Sequence, residues 1–163
     1  MSALKIFITG GTFDKEYDLI NGRLFFQDTH IEEMLLKDDR RFLIPIQTLM
    51  MIDSLDMTDA DRNIILENCR ACAEERIIVT HGTDTMTETA IKLGAENLAK
   101  TIILTGAMVP YTFGSSDGMF NLGSSMAYAQ CLPHGVYVVM NGKAYQWDNV
   151  IKNKKTGFFE PIS

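Results

Sequence analysis

At 163 residues, with 46% hydrophobic and 22% charged side chains, the chain is long enough to bury a full core without disulfide or metal staples. A formal net charge of -6, and no basic run interleaved with aromatics, argues against nucleic acid as a partner. No apolar run approaches the roughly 20 residues that span a bilayer, and the run near Met1 is too short for a secretory h-region, so a soluble, cytoplasmic protein without membrane association is expected.

The first apolar run, residues 4–9, reads as a buried strand that feeds directly into Thr9-Gly10-Gly11-Thr12. Asn21-Gly22, set between residues 17–20 and 23–26, predicts a β-hairpin that folds as a flap over Thr12. A helix over 30–37 and a second strand over 41–46 follow, with Asp53-Ser54 a few residues further on. In residues 58–75 the apolar side chains Ile64, Ile65, Cys69, Cys72 and Ala73 recur at helical spacing. Thr58-Asp59-Ala60-Asp61 opens that helix with the pattern of a loose capping box.

The strand expected over 76–80 runs into His81-Gly82-Thr83-Asp84-Thr85, and the helix after it, 84–98, starts with a capping box from Thr85 to Glu88. A strand over 101–105 leads to Gly106-Ala107-Met108, a helix over 117–131 comes next, and a strand over 135–140 ends at a second Asn-Gly turn. That turn, Asn141-Gly142, carries the chain outward to Lys152. The alternation predicts an α/β fold: three layers, a doubly wound and mostly parallel sheet with helices on both faces, plus a hairpin flap after the first strand. Without repeats, linkers or low-complexity tracts, residues 1–163 read as one domain.

In an open parallel sheet, ligands bind beyond the carboxyl ends of the strands. Thr12, Asp53-Ser54, His81 to Asp84, Gly106 to Met108 and Asn141 all follow strands and therefore gather at one pole. Glycines at 10, 11 and 82 let backbone approach a ligand closely, and N–H groups in such turns hold carboxylates or oxyanions. An alcohol is a weak nucleophile at neutral pH, so either Thr12 or Thr83 needs a proton acceptor. Lys152, desolvated beside a threonine, and Asp84, orienting it, are the candidates.

These residues resemble the bacterial type I and type II L-asparaginases, which include glutaminase-asparaginases. The likeness is carried by Ile8-Thr9-Gly10-Gly11-Thr12, by Ile52-Asp53-Ser54-Leu55-Asp56-Met57-Thr58 and by Val79-Thr80-His81-Gly82-Thr83-Asp84-Thr85 with its continuation to Ala90. Leu104 to Pro110, Ser116 to Leu122 and Val138 to Gly142 extend it. It covers nearly the whole chain and is similar to the family's N-terminal domain.

The resemblance implies that Thr12 is the acylated nucleophile, and that Thr83, Asp84 and Lys152 form the second catalytic group. It also implies that Ser54 and Asp84 hold the substrate's α-carboxylate and α-ammonium, with Gly11, Asp53, Leu55, Gly82 and Ala107 lining the same pocket. The implied reaction is hydrolysis of the side-chain amide of asparagine, or a related small ω-amide, to the acid and ammonia, with no metal or organic cofactor.

There are three departures from the family pattern. Leu55 stands where a glutamine usually follows the pocket serine. The flap tyrosine falls near Phe25 or Phe26, which have no hydroxyl, and leaves Tyr17 as the nearest phenol. The chain ends at Ser163, so the family's C-terminal domain is expected to be absent, and the apolar surface this leaves is expected to be covered in a homodimer or homotetramer.

Other motifs receive structural readings. Cys69, Cys72, Cys131 and His134 have the spacing of a zinc site, but the cysteines are read as free thiols, the first two one turn apart on a helix. Gly114-Ser115-Ser116-Asp117-Gly118 matches a nucleophile elbow without following its strand directly, so it is read as a loop that starts a helix. His81 is expected to be a hydrogen-bonded structural residue, and His30 and Glu33 to face solvent. The competing function is a noncatalytic protein that binds aspartate or asparagine through Ser54, Thr83 and Asp84.

Overall fold

A computed structural model describes residues 4–36 and 44–163. In chain order it contains β1 (Leu4–Gly10), a hairpin of β2 (Lys15–Asp18) and β3 (Arg23–Phe26), α1 (Ile31–Leu36), β4 (Ile46–Ile52), α2 (Asp59–Ala71) and β5 (Arg76–Thr80). There follow α3 (Met86–Ala95), β6 (Thr101–Thr105), α4 (Gly118–Cys131), β7 (Gly135–Met140), β8 (Lys143–Gln146) and a short pair, β9 (Ile151–Lys152) and β10 (Phe159–Glu160).

The main sheet has the order β4-β1-β5-β6-β7-β8. Its members are parallel except β8, which returns antiparallel to β7 through a two-residue turn in which Asn141 and Gly142 both have positive φ. That is the geometry an Asn-Gly hairpin turn requires.

Side-chain alternation along the central strands builds two cores. Phe7, Ile77, Val79, Ile102, Leu104, Val136 and Val138 point to one face and meet α2 and α3 through Ile65, Leu66, Cys69, Ala90 and Leu93. Ile6, Ile8, Ile78, Ile103, Tyr137 and Val139 point to the other and meet α1 and α4 through Ile31, Met34, Leu122 and Ala129. A central strand buried on both faces carries a continuous apolar run, so those strands are conspicuous in the sequence.

Four expectations need correction. The strand expected over 41–46 is β4, which begins only at Ile46; residues 41–43 lie outside the described residues, and Ile44 and Pro45 are not in a strand. Pro45 has no N–H for a ladder, but its carbonyl accepts from Ile6 N at 2.9 Å, and pairing with β1 starts there. Because β4 is the edge strand, Gln47 and Thr48 are exposed and its apolar run is interrupted.

The helix expected over 58–75 ends at Ala71, where Cys72 turns extended so that the chain can return to β5; its Thr58 capping box is formed, with Thr58 and Asp61 bonding each other's backbone N–H. The helix expected over 30–37 is α1, and Lys37 lies outside the described residues. The first hairpin pairs 15–18, not 17–20, with 23–26, because the Asp18 carboxylate accepts from Ile20 N and Asn21 N at 2.9 and 3.1 Å and closes a four-residue turn. Finally, Thr85 precedes α3 without capping it, since its hydroxyl donates to Ser54 O at 2.8 Å.

Candidate active site

The strand order reverses at β1, which has β4 on one side and β5 on the other. Sheets of this kind hold ligands at that switch point, beyond the strand ends. There Gly11, with φ of 84°, lies against the His81-Gly82 peptide: a Cβ added to it would fall within 2.5 Å of Gly82 Cα. Gly82 is pressed from its other side by Ser54, with an added Cβ only 2.6 Å from Ser54 Cβ and Oγ. Glycine at these two positions is what allows the β1, β4 and β5 loops to stack in van der Waals contact. Thr12 and Thr83 each follow one of the stacked glycines, Thr12 half-buried at the start of a short 3-10 turn and Thr83 buried.

Lys152 completes this pole from β9. Its Nζ lies 2.8 Å from Thr83 Oγ1 and 2.7 Å from Asp84 Oδ1. The lysine side chain is only 13% exposed, whereas Asp84 is half exposed. Its position is set by hydrophobic anchoring: Val150, directly before β9, and Phe159 of β10, which pairs with Lys152, are buried in the main core, and Tyr145 Oη donates to Phe159 O at 2.8 Å. A polar cluster 68 residues apart in sequence is thus assembled by two buried apolar groups.

The β4 loop supplies the floor. Ser54 is 1% exposed and its Oγ has no hydrogen-bond partner, an unusual state for a buried hydroxyl and one that a ligand oxygen would relieve. Asp53 accepts from Leu55 N at 3.0 Å and pairs with Lys15 Nζ of β2, which ties the hairpin to this loop. Burial pushes the Asp53 carboxyl up, but the hydrogen bonds from Lys15 and Leu55 and the lysine's charge outweigh it and hold it below its ordinary value.

A carboxyl lowered in the folded state stabilises the fold above its unfolded value of about 3.9, and that contribution disappears as pH falls through the lowered value. Lys15→Met is therefore expected to lower the unfolding temperature at neutral pH. The gap to the unmutated protein should close on acidification below about pH 4. Unfolding curves from pH 7 to 3 check this, and a gap that stays constant would show that the ion pair is not its source.

Residues 3–159 match the family described as Asparaginase, N-terminal. The chain belongs to the asparaginase family. L-asparaginase 1 of Escherichia coli is 32% identical over 160 residues, covering 92% of this chain and 47% of that protein. The probable cytoplasmic L-asparaginase of Campylobacter jejuni superposes with a TM-score of 0.78 at 30% identity, over 93% of this chain and 50% of that one. The thermostable L-asparaginase of Thermococcus kodakarensis shares the fold, with a TM-score of 0.85 at 24% identity over 98% and 51%. The chain thus spans about half the length of the curated relatives it matches.

Several residues of this asparaginase-family chain sit differently from the sequence expectation. Ala107 is fully buried in the core on the α4 side, so it is Met108, 44% exposed, that faces the pole. The N–H of Gly11 donates to Ile52 O at 3.0 Å, leaving its role steric. In the hairpin, Phe25 and Phe26 are half-buried, with the Lys15 ammonium 5.6 Å from the Phe26 ring centroid. Tyr17 is half exposed and its hydroxyl lies beside Gly22 at the turn, since a Cβ there would be 3.7 Å from Oη. His30 does not face solvent: its side chain is 14% exposed, 3.3 Å from Glu16 Oε1, 3.7 Å from Glu33 Oε2 and packed on Tyr111. Glu16 of β2 is the hairpin residue that reaches it.

The Ser116-Asp117 loop, which starts α4 as the sequence predicts, and the buried Asp14 support the neighbouring loops. The Asp117 carboxylate accepts from Met108 N and Val109 N at 3.0 Å and from Asn121 Nδ2 at 2.9 Å, clasping the β6 loop. Ser116 of the elbow-like motif donates to Val109 O, a loop contact. Asp14, two positions after Thr12, is fully buried; burial pushes its carboxyl up against the hydrogen bonds from His30 N and Thr29 Oγ1.

His81 is fully buried, with Nδ1 2.7 Å from Gly82 O and Nε2 2.7 Å from Thr89 Oγ1. Burial pushes its pKa down to about 4, so the ring is neutral at pH 7 and braces the loop without titrating. Cys69, buried in α2, has its thiol pushed up to about 12 by burial. Cys72 is the residue that ends α2, not part of it. Among the described residues no three His, Cys, Asp or Glu side chains group so as to hold a metal ion, and no helix is long and apolar enough to cross a membrane.

Proposed function

We propose that this chain is a single asparaginase N-terminal-like domain that hydrolyses the side-chain amide of L-asparagine, or of a related small ω-amide, to the acid and ammonia. The observation that carries the reading is the contact of Lys152 with both Thr83 and Asp84 at the switch point, where Gly11 packs on Gly82 beside Thr12. L-asparaginases and glutaminase-asparaginases among the relatives support the same chemistry.

In the proposed reaction the Thr12 hydroxyl attacks the amide carbon. Its oxygen forms the new ester bond, the C–N bond breaks, and the amide nitrogen leaves as ammonia carrying the proton given up by Thr12. Water then attacks the ester beside Thr83, passing a proton to Lys152, and the acid is released as Thr12 regains its hydrogen. Asp84, 2.7 Å from Lys152 Nζ, stabilises the ammonium formed when the lysine takes that proton. Ser54 and Asp84 hold the α-carboxylate and α-amino nitrogen, and the β2/β3 hairpin closes over Thr12.

We place this activity in the cytoplasm and in a homodimer or homotetramer, a state favoured by Leu19 and Ile20, 88% and 94% exposed at the hairpin turn. The test is ammonia release from asparagine and glutamine by the purified chain and by Thr12→Ala. Release that Thr12→Ala abolishes supports the reading. Release unchanged in Thr12→Ala, or none from any ω-amide at millimolar concentration, overturns it.

A further inference from the structure

Beside the Lys152–Asp84 pair the surface opens into a depression of about 1040 Å³. Clefts of roughly 300–1,000 Å³ hold ligands of drug size, far larger than one free amino acid. Its apolar lining is Leu55, Met108 and Ile151, aliphatic side chains left 71%, 44% and 50% exposed, and a rim of Glu88, Lys154 and Glu160 bounds it. Leu55 is held in place, since its N–H donates to Asp53 Oδ1, so its side chain stands over the depression from a fixed backbone. Ser54, directly before it, is buried, whereas Asp84 lines the depression.

We propose that this depression receives an apolar acyl group on the α-nitrogen of the substrate, making the preferred substrates short-chain N-acyl asparagines; the inference rests on the amidohydrolase reading above. In that reading the α-carboxylate sits on the Ser54 side and the α-nitrogen on the Asp84 side, so only a substituent on nitrogen enters the depression. Asp84 Oδ1 already accepts from Lys152 Nζ at 2.7 Å. Its other oxygen is left for the substrate nitrogen, and an amide N–H satisfies it as an amine N–H does. A glutamine at position 55 would present a polar amide to that region, whereas leucine presents apolar surface that an acyl chain covers.

The test compares asparagine, N-acetyl-asparagine and N-hexanoyl-asparagine as substrates by ammonia release, with calorimetric binding of aspartate and N-hexanoyl-aspartate alongside. The proposal expects kcat/KM about tenfold or more higher for the hexanoyl compound than for asparagine, and Leu55→Gln to erase that ratio. A preference for free asparagine, or a ratio that Leu55→Gln leaves unchanged, overturns the proposal while leaving the amidohydrolase reading intact. If no amide is turned over, that reading fails, and binding alone decides the proposal. N-hexanoyl-aspartate binding about tenfold tighter than aspartate, and losing the advantage in Leu55→Gln, supports it; equal binding overturns it.

Discussion

Lys152→Met is expected to reduce ω-amide hydrolysis by about a thousandfold, within the range by which positioned acid–base groups accelerate proton transfer. Methionine keeps the length and apolar stem of the side chain but gives neither Thr83 nor Asp84 a partner. The β9/β10 pair is held by Val150, Phe159 and the Tyr145 hydroxyl, none of which is altered, so the variant is expected to fold. Lys152→Arg separates two explanations. A guanidinium retains the ion pair with Asp84 but does not give up its proton, so activity should remain lost. Steady-state kinetics beside unfolding curves check both variants. If Lys152→Arg retains most of the rate, the lysine contributes charge alone.

Gly11→Ala is expected to destabilise the fold by roughly 3 kcal/mol, adding an overpacking penalty to that of a side chain at positive φ. Both contributions follow from one contact: the added methyl would meet the backbone of His81 and Gly82, and Gly11 has φ of 84°. Backbone cannot yield as a flexible side chain does. Relief therefore requires the β1 and β5 loops to part, which moves Thr12 away from Thr83. For a domain of this size, that cost corresponds to a fall of roughly 10 °C in unfolding temperature, with ammonia release lost in parallel. Thermal unfolding at the native temperature or within a degree or two of it would show that the loops are not pressed together.

The parts of the fold that announce themselves in the sequence are those with a single physical cause. Strands β5, β6 and β7 are buried on both faces and are legible as apolar runs such as Ile77-Ile78-Val79 and Ile102-Ile103-Leu104. The Asn141-Gly142 turn is legible because few residue pairs tolerate positive φ twice in succession. Edge strand β4 starts several residues later than its sequence suggests because one side of it is solvated, so Gln47 and Thr48 break its apolar pattern.

The candidate site is legible only in part, for a related reason. Thr12, Thr83 and Asp84 stand directly after apolar strands, so the rule that ligands gather beyond strand ends picks them out. Lys15 acts at long range, on Asp53 38 residues away, and no local pattern marks such a partner. Thr85 shows the opposite failure. Its sequence fits a capping box, but a competing acceptor, Ser54 O, takes its hydroxyl. Helix spacing alone points His30 to solvent, and nothing in that spacing reveals Glu16 of the hairpin or Tyr111 beside it.

The central claim is that Thr12 carries the acyl group while Thr83, Asp84 and Lys152 drive its release. Acid quenching of the chain during turnover of asparagine, followed by intact mass measurement and peptide mapping, tests it directly. The account predicts an added aspartyl group on the peptide containing Thr12, greater in Lys152→Met, where release is blocked, and absent in Thr12→Ala. An acyl group found on Thr83 with Thr12 unmodified, or ammonia released by Thr12→Ala at the normal rate, would contradict it.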